Sequence, residues 1–441
     1  VYYPAVASAN VVRIQILSAL NKLYAGRGST VANKLSELVE KYLKLDEELT
    51  AEYNALGEDL NGVNKWYGMM IASPDYCRTY DDPILGRVTA QAHMNYSSWN
   101  GVSAIKIEPE HVCAKPDGGM IVDVAGRQEG ISNGTLTLPD FESSESQTYV
   151  INLTNSSDKP VKYRITPECD FLMTDGALEG EYTYAHSVSV RVDWSKVSYD
   201  CTASVKIESD DASVTVVAGV KIVDTSAKKD KTHFMSNGIA AINADGYFDK
   251  GDSCGVRWTK LDGYGKSKVS MKMLNTCTEP FEAGCGPWLD YAVKVPESGV
   301  PESGDYKLVL CVGQGNNVSF DHGTHLNVGV QLDGGEIKVV NIQGEGYISG
   351  VSGGWFASIE QGGRRVQTDV HLESGEHVLR IWGMDQNAVL QKFLIMPSRM
   401  PLYPSLIGPK ATYDSSLGTP SEKDAPWLLP CDEELKGALD A

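Results

Sequence analysis

YVINLTNSSDKPVKYRI, Tyr149–Ile165, is the stretch on which the fold class turns. Tyr149–Leu153 and Val161–Ile165 are short runs of β-branched and aromatic residues, and the second alternates apolar and polar with a period of two. Between them Asn155-Ser156-Ser157-Asp158-Lys159-Pro160 is a cluster of turn formers. Ser187–Val192, Ser204–Glu208 and Ser213–Val223 repeat the pattern downstream. Short strands, regular turn signals and few helix formers predict an immunoglobulin-like β-sandwich over roughly residues 101–225.

After the polar stretch Thr225–Lys231, read as a linker, a second β-rich unit is predicted. Its strands are Leu289–Val295, Tyr306–Val312, Leu326–Leu332, Glu336–Ile342, Val366–Leu372, His377–Trp382 and Val389–Met396. Asp333-Gly334-Gly335 and Ser374-Gly375 read as hairpin connections. The number and spacing of these strands predict a jelly-roll-like sandwich, assigned to residues 232–413, with 414–441 as a tail. A tandem repeat, Val295–Gly299 followed by Val300–Gly304, falls between two strands, where added loop length costs little.

Upstream the period is 3.6. Ile14, Leu17, Leu20 and Tyr24 make one stripe over Val11–Ala25; Gly26–Thr30 supplies a turn and cap. From Val31, Leu35, Leu38, Tyr42, Leu45, Leu49 and Tyr53 step by three or four. Residues 1–100 are therefore read as a helical hairpin or bundle segment whose stripes need further helices before Val1. The fold class is mixed and mainly β.

Lys and Arg number 39 against 58 Asp and Glu, a formal charge of −19. Such a surface repels phosphate backbones and anionic headgroups, so the reading has no nucleic acid and no membrane partner. No apolar run reaches the roughly 18 residues of a spanning helix. The start Val1-Tyr2-Tyr3-Pro4 is neither an initiator Met nor a signal peptide, and is read as the middle of a longer protein. Nine scattered cysteines, with no C-x-x-C, support neither a disulfide framework nor a zinc site.

Local motifs carry little chemistry. Gly265-Lys266-Ser267 lacks the Gly that a phosphate loop needs five residues earlier, where Lys260 stands. Asp321-His322-Gly323-Thr324-His325 does not have the spacing of a zinc helix. Asp245, Asp249 and Asp252 miss the order of an EF-hand. No metal and no cofactor are assigned. Trp258, Trp288, Trp355 and Trp382 are candidates to stack on sugar rings, with core packing as the alternative, strongest for Trp382 in its apolar strand. Trp355 follows Gly353-Gly354 in a loop and is the leading candidate for exposure; Tyr347 joins Trp258, Trp288 and Trp355 in the carbohydrate-binding set.

Longer motifs are more specific. The last unit contains Asn237-Gly238-x-x-Ala241-Ile242-x-Ala244-x-x-Tyr247 and Trp258-x-x-Leu261-x-Gly263-Tyr264-Gly265-Lys266-Ser267. Gly304-Asp305-Tyr306-x-Leu308, Gly375-x-His377-x-Leu379-Arg380, Val389–Lys392 and Leu406–Pro409 follow in order. This set resembles the C-terminal domain of glycoside hydrolase family 115. Tyr2–Ala5, Leu23–Ala25 and Lys65-Trp66-x-x-Met69-Met70 resemble the helical segment that follows the catalytic barrel in the same family. Tyr80-Asp81-Asp82-Pro83 and Gly313–Asn317 depart from the family pattern, and the barrel itself has no counterpart in this chain.

The resemblance implies an inverting α-glucuronidase that removes 4-O-methyl-glucuronic acid from glucuronoxylan, with acid and base carboxylates on the barrel. It implies a partner barrel upstream, faced by Trp66 and Tyr67, a xylan ligand and a homodimer. A periplasmic or extracellular site would follow from the polymer. The rival reading is a free-standing polysaccharide-binding sandwich protein without catalysis.

Overall fold

The structure is a computed structural model. It describes residues 2–55, 59–60, 63–64, 109–124, 129–145, 147–227, 229, 231–274, 279–297, 304–315, 325–344, 358–359, 361–403 and 405–411. The chain divides into two compact units: one holds the helices and the strands up to Phe141 and from Gln147 to Val220, the other Glu142–Ser146 and Lys221–Pro420.

In the first unit the helices are Tyr2–Gly26 and Val31–Ala55. The first begins nine residues before the predicted Val11, because Pro4 sits in the first turn, where its missing N–H costs nothing. It ends in a Schellman turn: Ser29 N donates to Tyr24 O at 3.0 Å, Gly28 N to Ala25 O at 2.9 Å, and Gly28 takes φ +71°. Ile14, Leu17, Tyr24, Val31, Leu35, Val39 and Tyr42 close on one another. Val112, Tyr184 and Ala185 pack against this core, so a strap and a sandwich edge meet part of the two stripes.

Side-chain amides bind the strap. Asn21 Oδ1 accepts from Glu110 N at 2.8 Å while its Nδ2 donates to Glu110 O at 2.8 Å. Asn33 does the same to Val112, at 2.8 and 2.9 Å. Beside them, Arg27 Nη1 meets Asp123 Oδ2 at 2.9 Å with both side chains buried, and Asn152 Nδ2 donates to Asp123 Oδ1 at 2.9 Å. A buried ion pair of this kind is tolerable because its spare lone pairs are bonded.

The sandwich beneath has one sheet in the order Met120–Val124, Thr148–Asn155, Ala185–Val192, Leu172–Asp175. The other runs Asn133–Thr137, Ser213–Lys221, Cys201–Glu208, Val161–Pro167, Glu179–Tyr182, with Phe141–Glu142 also on Ser213–Lys221. Val122, Ile151, Val188, Ile207, Val214 and Val216 fill the space between.

The second unit is again two sheets. One is ordered His233–Phe234, Trp288–Val295, Gly375–Gly383, Asn327–Leu332, Lys338–Asn341, with Asp249–Gly251 also on Trp288–Val295. The other is Arg257–Asp262, Val269–Leu274, Val389–Pro397, Asp305–Val312, Arg364–His371, with Ala240–Asn243 also on Val389–Pro397. Asp333-Gly334-Gly335 does turn a hairpin, between Asn327–Leu332 and Lys338–Asn341. Ser374-Gly375 does not: Arg364–His371 pairs with Asp305–Val312 while Gly375–Gly383 pairs with Trp288–Val295, so the chain crosses there between sheets. Trp258, Tyr291, Tyr306, Leu379, Ile381 and Phe393 lie in the core.

Candidate functional site

The outer sides of these two sheets differ. On the Val389–Pro397 sheet, Val309, Cys311, Leu394 and Met396 point outward and gather Ala241, Ile239 and Met400 into a second apolar cluster. The chain after Pro397 closes this side. Lys307 Nζ donates to Ser398 O and Met400 O, Arg365 to Tyr403 O, Lys392 to Pro409 O, and Cys311 Sγ to Leu406 O at 3.2 Å. Gly408 has φ +67°, and a Cβ there would fall 2.5 Å from Leu394 Cδ1. Leu406–Pro409 is therefore a strap end that only glycine permits to lie so close.

On the other sheet, strict alternation sends Leu289, Tyr291 and Val293 inward and Trp288 and Asp290 outward. Its neighbour sends Leu379 and Ile381 inward and Arg380 and Trp382 outward. The register sets Trp288 opposite Trp382 and Asp290 opposite Arg380, with Gly251 beyond Trp288 and Gly329 beyond Trp382. A Cβ on Gly251 would come 2.3 Å from Trp288 Nε1, so the indole lies on bare backbone.

Arg380 is the centre of this face. Its Nε and Nη2 donate to the two oxygens of Asp290 at 2.6 and 2.7 Å, the bidentate geometry that guanidinium favours. Its carbon Cζ stands 4.0 Å from the Trp288 ring centroid and 5.1 Å from that of Trp382. Trp382 Nε1 donates to Gln331 Oε1 at 2.9 Å. Both indoles are half-buried, and Val339, in the same row beyond Gly329, is 53% exposed. The assembly is an amphipathic shelf: aromatic edges, one guanidinium whose charge is balanced by Asp290, and an amide.

Trp288 thus stands on an outer face, with Arg380 stacked against it. Trp258 is corrected: at 1% exposure it fills the core, its Nε1 donating to Pro287 O at 3.1 Å, and no ring face is left for a ligand. Trp382, assigned to the core on its apolar strand, is outside instead, because its parity matches Arg380 and opposes Ile381. Trp355, Tyr347, Trp66 and Tyr67 lie outside the described residues. Asp290, Arg380 and Gln331 were missed; the alternation in WLDYAVKV and HVLRIW was the signal that could have found them.

The remaining motifs have structural roles. Gly265-Lys266-Ser267 lies in the turn joining Arg257–Asp262 to Val269–Leu274, where Lys266 N donates to the buried Gln391 Oε1 at 2.8 Å. Asp245 pairs with Lys260 at 3.2 Å. Among the described residues, no group of three or more His, Cys, Asp or Glu is placed to hold a metal ion, and no helix is long and apolar enough to cross a membrane.

Residues 232–411 match the family model for the glycosyl hydrolase family 115 C-terminal domain. The second sandwich is the part of the chain that matches, and the match supports reading that part as a family 115 C-terminal portion. Among solved structures it is similar to BtGH115A, a family GH115 4-O-methyl-α-glucuronidase with specificity for decorated arabinogalactans. Identity is 15%, coverage 41% of this chain and 19% of that one, and the TM-score 0.27. It is also similar to the C-terminal CBM6 of LamC, a laminarinase from Zobellia galactanivorans, at 14% identity, 36% and 98% coverage and TM-score 0.24. A third is the carbohydrate binding module CBM6cm-2 of Cellvibrio mixtus lichenase 5A in complex with cellotriose, at 16% identity, 36% and 98% coverage and TM-score 0.23. No curated protein matches the chain. The chain spans about a fifth of the family 115 enzyme's length, and its general role is carbohydrate-related.

Proposed function

We propose that this chain is the C-terminal, non-catalytic portion of an α-glucuronidase that removes 4-O-methyl-glucuronic acid from glucuronoxylan. The observation that carries the reading is the family 115 match over residues 232–411. In this reading the second sandwich engages the polysaccharide through the Trp288–Trp382 shelf, and the acid and base carboxylates reside on a barrel of the same protein. We assign none of them to this chain. The helical hairpin braces that barrel. In support, Ala5, Ala9, Val12, Ile16 and Ala19 form an exposed stripe at alternating steps of four and three along the first helix, the spacing with which one helix seats against another. Self-association and work outside the cytoplasm belong to the same proposal.

Affinity electrophoresis of the purified chain in gels with and without glucuronoxylan tests it. Retarded migration without release of uronic acid is expected. Unretarded migration would remove the polysaccharide role of the sandwich, and turnover that follows the purified chain would overturn the non-catalytic assignment.

A further inference from the structure

The first sandwich holds two thiols that no role above employs. Cys201 opens the strand Cys201–Glu208, and its antiparallel neighbour Val161–Pro167 places Pro167 opposite Val205. One step on, Glu168 N donates to Ser204 O at 3.0 Å, which sets Cys169 level with Ala203 and on the same side of the sheet as Cys201. Cys169 lies beyond the strand, in a turn closed by Leu172 N on Cys169 O at 3.2 Å. Its Sγ sits 3.7 Å from the carbonyl oxygen of Thr202, the residue bonded to Cys201. Both cysteines are free and only partly buried. Ionisation of Cys201 is opposed first by burial and then by Cys169 and Asp200, so the two sulfurs are within electrostatic reach of each other.

We propose that Cys169 and Cys201 form a redox-closable pair, joined as a disulfide when the chain meets a low-molecular-weight disulfide such as oxidised glutathione. One cysteine thiolate attacks a glutathione sulfur, forming a mixed disulfide and expelling one glutathione thiolate. The second cysteine thiolate then attacks the protein-side sulfur of that mixed disulfide and expels the other glutathione. The protein loses two thiol protons and two electrons, and oxidised glutathione takes up both to become two molecules of the thiol. The bond requires Cα atoms within about 7 Å, and the turn at Cys169 is where a small backbone shift meets that requirement at least cost. Cys311 serves as an internal control, since burial pushes its thiol up to about 11.

The test treats the full chain with oxidised glutathione at mildly alkaline pH, blocks remaining thiols with iodoacetamide, and maps peptides by mass spectrometry without reductant. The expected product is a peptide pair joined through Cys169 and Cys201, lighter by two hydrogens than its parts and released by dithiothreitol. Recovery of the two peptides separately, alkylated or each with its own glutathione, overturns the proposal. So does a link from either residue to another cysteine. In C201S, Cys169 is expected to keep a single glutathione as a mixed disulfide; a Cys169 that takes none is inaccessible, and the pair cannot close.

Discussion

On the sheet that contains Val389–Pro397, the outward Val309, Cys311, Leu394 and Met396 are apolar and the residues after Pro397 lie across them. On the sheet that contains Trp288–Val295, the outward row is Trp288, Asp290, Arg380 and Trp382, amphipathic and partly open to solvent. The two sheets share one core and similar strand lengths, so the core does not decide which side can meet a ligand. The difference lies in what alternation sends outward. Aliphatic side chains need a lid, and this chain supplies one from its own C-terminal strap. Indoles held by a guanidinium satisfy their polar atoms in place and can stay half-exposed.

The sharpest way to test the inside–outside assignment is Trp258→Ala. Removing a fully buried indole should cost about 3–5 kcal/mol, read as a large drop in the denaturation midpoint of the second unit. A loss below about 1 kcal/mol would put Trp258 outside the core. Gly408→Val breaks the lid: a left-handed valine pressed on Leu394 should cost about 2–4 kcal/mol and expose the Cys311 thiol to alkylation. Unchanged Cys311 protection would show that the strap does not close that side.

The second unit is also expected to respond to pH, through Glu145. Burial, and then the neighbouring Glu142 carboxylate, push the Glu145 carboxyl up to about 7, with a Ser236 hydrogen bond and then Lys410 opposing the shift. Between pH 4.5 and about 7 the native chain keeps a proton that the unfolded chain has lost, so stability should fall as pH rises through that window. The loss is about 2–3 kcal/mol, and Glu145→Gln should flatten it in urea titrations at pH 5 and pH 8. A slope that survives the substitution would assign it to other groups.

Effects on the open side should be smaller in stability and larger in binding. Asp290→Ala leaves the Arg380 guanidinium stacked but unpaired and should cost about 1–2 kcal/mol, reduced from the buried-pair range because Arg380 is partly solvated. Trp382→Ala should cost only about 1 kcal/mol, yet abolish retardation in glucuronoxylan gels; retained retardation would move the proposed contact off this shelf.

Much of the architecture was legible in the sequence, for a physical reason. Strands such as Ser213–Lys221 and Asp305–Val312 are rich in apolar residues, alternating in the first and nearly continuous in the second, and that pattern announces them. Arg257–Asp262 and Asp249–Gly251 carry too few apolar residues to signal by pattern; the first is placed by its hairpin neighbour Val269–Leu274 and the second by the more distant Trp288–Val295. The shelf was half legible. Trp288 reads as a candidate from sequence, but the apolar look of its strand draws Trp382 into the core, although its parity with Arg380 puts it outside. The amide contacts of Asn21 and Asn33 were not legible at all, since each spans roughly eighty to ninety residues of sequence.

Those two asparagines have a practical consequence for anyone cutting the chain. A backbone segment that would ordinarily find a neighbouring strand finds instead two side chains on two different helices, which present donor and acceptor together as a strand would. A fragment that begins at residue 109 keeps every strand of the first sandwich yet strips four peptide groups of their partners and bares the Tyr184 edge. The workable boundary for a soluble fragment of this unit therefore lies ahead of the first helix, and the hairpin is better treated as the sandwich's missing edge than as a separable appendage.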